Sequence, residues 1–186
     1  MSHSNTQRLT DYWQSRRSAG LAPLRADVDP TDFADLLPQV FILGRLGAGR
    51  YRFRLSGGLV EALHGEHSLR DADFISLWRE GDRIGLQTAM EAALRRGAAL
   101  VVDAQGEAVN GQRADLEILL APMSTSAGEV TRFLGLVQPV TSLWPLRDQP
   151  VGPLGVRLVR LAVEDEGAAR TLPRLKLAAM NGRRLA

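Results

Sequence analysis

The chain has 186 residues, 45% of them hydrophobic and 24% charged, with 23 lysines and arginines against 21 aspartates and glutamates. That length suits one compact domain with appended segments, and the composition excludes a disordered or fibrous chain. Cysteine is absent, which removes disulfides, thiolate metal sites and sulfur nucleophiles together.

The pI near 9.6 overstates the basicity, because nearly all the cations are arginines, which keep their protons to high pH. Carboxylates are interleaved through most of the chain, so no concentrated footprint for nucleic acid is expected. Neither a signal-peptide core nor an apolar run of ~20 residues occurs, and a cytoplasmic protein without membrane contact is expected.

Thr6 to Ser18 carries Leu9, Tyr12, Trp13 and Arg16 at helical spacing, and Gly20 offers a stop. An amphipathic helix docked outside the core is predicted there. Asp29 caps and Pro30 opens a short helix through DFADLL, which Pro38 ends. Val40 to Leu43 is a continuous apolar run. After Gly47-Ala48-Gly49, three arginines, Arg50, Arg52 and Arg54, alternate with Tyr51, Phe53 and Leu55. Two such runs joined by a glycine-containing turn predict a β-hairpin.

Short helical stretches follow in LVEALHG and SLRDADFISLW. Arg79 to Arg96 is the strongest helix, since Ile84, Leu86, Met90, Ala93 and Leu94 share a stripe and Gly97 stops it. Strands are predicted over 98–102, 114–121 and 132–140, separated by the turn-rich AQGEAVNGQ and MSTSAGE. From Ser142 the texture changes. Pro145, Pro150 and Pro153 precede VRLVRLAVEDE and a small-residue, basic end, read as a linker, one further element and a tail. Strands and helices segregated in this order point to an α+β layer fold, with helices on one face of an antiparallel sheet.

His64 and His67, near Glu61 and Glu66, lack a third metal ligand and read as exposed histidines. They are also the one place for a physiological pH switch. Neither accompanies a nucleophile elbow, so no catalytic residue is assigned and an enzyme is not expected. The Gly47 to Gly49 turn precedes a strand rather than a helix, which leaves it a weak phosphate loop.

The element order, together with ALHGEHSL, LWREGDRIGLQTAMEAALRRG and LEILLAPMSTSAGEVTRFLGLVQPV, resembles the PAS sensory fold. More narrowly, DYWQSRRSAGLAPLRADVDPTDFADLLPQVFILG followed by YRFRLSGG is similar to the bacterial PAS_5 family. The residues that carry this are Trp13, Pro23, Arg25, Asp27, Asp29, Pro30, Leu37, Pro38, Arg52, Phe53, Arg54, Leu55 and Gly57. The resemblance covers roughly residues 6 to 142 and implies a five-stranded antiparallel sheet with short helices and one long helix on one face. The expected layout is a lead-in over 1–22, a PAS-like domain over 23–142, and a Pro-rich linker and extension over 143–186.

In that fold Phe53, Leu55, Leu63, Phe74, Trp78, Met90, Leu94, Leu116 and Ile118 should converge between sheet and helices. They form either a ligand pocket or a filled core. The resemblance brings no catalytic residues. Without cysteine, a cysteine-linked flavin or chromophore is excluded; haem is disfavoured because the long helix has no histidine, and no other cofactor is indicated.

Arg50, Arg52 and Arg54 fall on the outer face, where they either guard a sheet edge or form a docking surface. Asp115 and Glu117 would complete that surface as a two-signed face, with Tyr12 and Trp13 from the N-terminal helix beside it. The function implied is a cytoplasmic sensory module that works by protein contacts, as a homodimer or on a signalling partner, with or without a small ligand. A small-molecule-binding protein or enzyme on another α+β scaffold is the alternative, and a nucleic-acid binder through the arginine row ranks below it.

Overall fold

The apolar run and the alternation after it form the predicted hairpin: β1 (Val40–Gly47) pairs with β2 (Arg50–Ser56). Three later strands follow, β3 (Leu100–Glu107), β4 (Arg113–Ser124) and β5 (Val130–Pro139), and then β6 (Gly155–Leu161). In the computed structural model, which describes residues 2–18 and 22–162, they make one antiparallel sheet in the order β2-β1-β5-β4-β3-β6.

The sheet therefore has six strands where five were expected. Within GVRLVRL, Val159 turns toward the inner core while Arg160 turns to the other face, and the segment closes the edge that β3 would otherwise leave unpaired. The approach to it is equally built in: Leu146, Val151 and Leu154 are buried in the core beneath the helices. Residues 143–162 thus belong to the same layers as the rest. The predicted tail beyond them lies outside the described residues.

The helices are α1 (Ser4–Ser15), α2 (Gly58–Leu63) and α3 (Glu80–Arg96). Gly97 ends α3 at φ 58, a left-handed conformation that glycine adopts without a Cβ penalty. Asp29 accepts a 2.9 Å bond from the Thr31 amide, as the predicted cap should. The turn it caps is a 3-10 segment, Pro30–Gln39, which kinks at Phe33 and runs through Pro38. A second 3-10 segment, Phe74–Leu77, is capped by Asp73. No helix among the described residues is long and apolar enough to cross a membrane.

Two cores sandwich the sheet. Beneath α2, α3 and the Phe74 segment lie Phe41, Phe53, Trp78, Met90 and the inward residues of β3 and β4. On the opposite face α1 and the Pro30–Gln39 segment bury Leu9, Trp13, Phe33 and Leu36 against Ile42, Leu119, Met123 and Leu134. The N-terminal helix thus brings a core of its own, where each buried Leu or Phe side chain contributes about 1.5–3 kcal/mol. Ile84, placed by periodicity in the stripe of α3, is instead 77% exposed. It lies in the first turns of the helix, while the buried Leu86, Met90, Ala93 and Leu94 carry the contact.

Candidate functional site

Eight of the nine residues predicted to line a pocket do converge beneath the helices: Phe53, Leu63, Phe74, Trp78, Met90, Leu94, Leu116 and Ile118. Leu55 does not. The pairing of β1 and β2 slips at this point, so that Phe53 opposes Leu43 while Leu55 opposes Ile42, whose side chain belongs to the opposite core. Such a bulge reverses the alternation, and Leu55 stands 47% exposed.

The converging residues are joined by Phe41, whose ring lies 5.6 Å from Phe53 and 5.7 Å from Phe74, with Phe74 in turn 5.8 Å from Trp78. Phe41 also lies so close over Gly135 that a Cβ there would sit 2.1 Å from the ring. The rings pack against one another across the space between sheet and helices, and the chain holds no cysteine to form a covalent bond to a flavin or chromophore. One polar atom stands out in this core: the Trp78 indole N–H is buried with no acceptor among the described residues, a cost of about 1–3 kcal/mol.

Outside the core, two shallow depressions of about 460 and 390 Å³ share Gly152 and Pro153. His64 lines the second with Glu66, Ser68 and Ser76. Burial pushes its imidazole down to about 4. The predicted histidine switch therefore fails at His64, which stays neutral through the physiological range because desolvation disfavours the cation.

A polar buckle unseen in the sequence ties the hairpin to α3. Glu91 accepts from Arg45 Nε at 2.9 Å and Nη2 at 3.0 Å, from the Gly49 amide at 3.0 Å and from the Tyr51 hydroxyl at 2.6 Å. One turn earlier, Gln87 donates to the Gly49 carbonyl at 2.7 Å. Arg45, then Tyr51 and Gly49, hold the Glu91 carboxyl down at about 2, and burial followed by Glu91 pushes the Tyr51 hydroxyl up. Gln87 and Glu91 are legible as an i, i+4 polar pair. What they face depends on how α3 crosses the sheet.

On the outer face the expected two-signed surface is not available. Glu117 is only 3% exposed. It accepts from the His3 amide at 2.9 Å and from Arg160 Nη2 at 2.5 Å, while Arg160 Nη1 reaches Asp103 at 2.6 Å. Asp115 is half-buried and accepts from Gln105 at 2.7 Å. The acidic half is consumed internally because β6 supplies an arginine that five strands would lack.

Trp13 is fully buried, its indole N–H donating to the Pro122 carbonyl at 2.7 Å. The Tyr12 hydroxyl accepts from the Asp29 amide at 2.8 Å, and its ring meets Phe33 edge-on. Trp13 thus holds α1 to the sheet, while Tyr12, partly exposed, ties α1 to the start of the Pro30–Gln39 segment.

The arginine row does face outward. Tyr51 and Phe53 turn inward, and Arg50, Arg52 and Arg54 are exposed on the other face. Arg132 of β5 joins them, since Arg52 and Arg132 are the two register partners of Gly44 on either side of β1. The row needs little explanation as edge protection, for the edge is already capped there: Phe53 donates to the Ala72 carbonyl and accepts from the Asp71 amide.

A hairpin, short helices, one long helix and a closing three-stranded meander, with the long helix laid across an antiparallel sheet, define a sensory-domain fold of the PAS type. The chain belongs to the PAS_5 family of PAS domains, whose model matches residues 1–138. Solved structures similar to it include a LOV protein of Rhodobacter sphaeroides, at 15% identity and a TM-score of 0.45, covering 61% of this chain and 69% of that one. Another is an RNA-binding light-oxygen-voltage receptor, at 20% identity and a TM-score of 0.48, covering 72% of this chain and 38% of that one. No curated protein matches the sequence.

Proposed function

We propose that this PAS domain is a non-enzymatic, cytoplasmic signalling module that acts through protein contacts on the outer face of its sheet, at the β2–β1–β5 end. The observation that carries this reading is the contrast between the two halves of that face. Elsewhere it is covered by α1 and the Pro30–Gln39 segment or neutralised by Arg160, whereas around Gly44 its covering is arginine side chains alone, Arg54 over the glycine with Arg52 and Arg132 on either side. The ring contacts of the interior support action through the surface over action through a bulky cofactor.

Native mass spectrometry of the purified chain and of the Arg52→Glu/Arg54→Glu variant, with crosslinking in cell extract, tests this. Self-association or a reproducible crosslinked partner that the variant loses supports it; equal mass and equal crosslinks in both proteins would sink it. A second reading, a small ligand inside, is favoured by the orphaned Trp78 indole N–H alone. Denaturing extraction of the same sample releases such a ligand if it is carried, and its loss from Trp78→Phe would identify it as the partner of the indole N–H.

A further inference from the structure

We infer that the occupant of the Gly44 face is an acidic amphipathic helix of a different protein rather than a second copy of this chain; this rests on the reading of that face as a contact surface. Arg50, Arg52 and Arg132 form no ion pair among the described residues, and Arg54 has only a 3.5 Å contact with the exposed Asp71. Arg52, Arg54 and Arg132 thus surround Gly44, with Arg50 further along β2 beside Gly47, and the row has one distant counter-charge. Gly44 leaves the middle of the patch without a side chain, and the Arg54 guanidinium stem lies across it, since a Cβ there would sit 2.8 Å from Arg54 Nε.

A two-fold pairing of identical patches would set these arginines against one another, and the carboxylates that could have balanced them, Asp103 and Glu117, are held by Arg160. Charge complementarity therefore asks for carboxylates from elsewhere. Two exposed leucines border the patch, Leu46 at 42% and Leu55 at 47%. No exposed aromatic lies among them: Trp144, 88% exposed, sits on the far side of the sheet order, beside the β3–β4 turn, where Asn110 donates to the carbonyls of Pro145 and Leu146. Leucines without a stacking ring suit an amphipathic protein segment better than single-stranded nucleic acid.

The cap on Phe53 obstructs strand addition at the edge, so the segment lies over the face. Arg52 and Arg132 are two strands apart, about 10 Å, which is the rise of roughly seven helical residues. Acidic side chains at i and i+7, with a leucine between them, match that spacing.

The test is fluorescence anisotropy with three labelled probes: a helical peptide of roughly 20 residues with Glu and Leu in that pattern, the same peptide with Gln for Glu, and a single-stranded oligonucleotide of similar length. The Glu peptide is expected to bind about tenfold more tightly than the Gln peptide, to weaken with added salt, and to lose about tenfold in Arg52→Glu/Arg132→Glu while Arg52→Lys/Arg132→Lys retains binding. Thermal melts of each variant confirm that the fold is intact. Equal binding of the two peptides, or tighter binding of the oligonucleotide, overturns the inference. If arginine-dependent self-association is found without Glu-peptide binding, the contact surface stands and the acidic occupant falls. If neither occurs, both fall.

Discussion

The Tyr51 hydroxyl, on the second strand of the sheet, donates a 2.6 Å hydrogen bond to Glu91 on the long helix. Glu91 also takes both forks of Arg45 and the Gly49 amide, so one carboxylate fixes the hairpin turn against α3. Its folded pKa of about 2 lies below the unfolded value. The linked stability is therefore fully present above the ordinary carboxylate pKa and lost as pH falls from there through about 2. Glu91→Gln should lower stability at neutral pH by about 2 kcal/mol, allowing for partial solvent screening. It should also flatten the acid limb, as urea titrations at pH steps would show; an unchanged acid limb counts against the buckle.

His64 titrates with the opposite charge and the same direction of loss. Its folded pKa of about 4 lies below the unfolded value, so the unfolded chain takes up the proton first. Stability falls as pH drops below the ordinary histidine pKa and stops falling near 4. His64→Gln should remove on the order of 1–2 kcal/mol of this acid loss. Parallel melts of the two proteins across that window check it, and curves that fall equally would refute the assignment.

Arg160 is the counter-charge of a buried carboxylate. Removing it as Arg160→Ala leaves Glu117 unpaired and should cost about 3–5 kcal/mol, whereas Arg160→Ala with Glu117→Gln should recover a large part of that loss. A denaturation cycle over the four proteins measures the coupling. Hydrogen exchange should also show the β3 amides that pair with β6 losing protection in the single variant. Additive losses would mean that the pair contributes nothing of its own.

Gly135→Ala places a methyl where the Phe41 ring stands. The ring cannot leave without disturbing Phe53 and Phe74, so the expected cost is about 1–3 kcal/mol or more from overpacking. Pairing it with Phe41→Leu should relieve the clash. If Gly135→Ala alone is neutral in chemical denaturation, the interior is looser than the ring geometry implies.

Much of this fold is legible because its signals are local. Alternation placed the hairpin, Gly97 ended the long helix, and Asp29 capped its turn, each through chemistry that acts within a few residues. The misreadings come from non-local register. Leu55 alternates correctly with Phe53 in the sequence, yet the slip opposite Leu43 turns it outward. Glu117 alternates as an exposed strand residue should, and it is buried because an arginine arrives from β6, 43 positions later. Arg45 and Glu91, 46 positions apart, give no sign of each other until α3 crosses the hairpin. The candidate surface was half visible: the arginines of β2 were apparent, while Arg132 needed the β5–β1 register.

Glu117 receives the backbone of His3 from one direction and the side chain of Arg160 from the other. The start of α1 and the sixth strand thus share one anchor in the middle of the sheet. The centre of the outer face is therefore a junction where two segments far apart in the chain meet on one side chain.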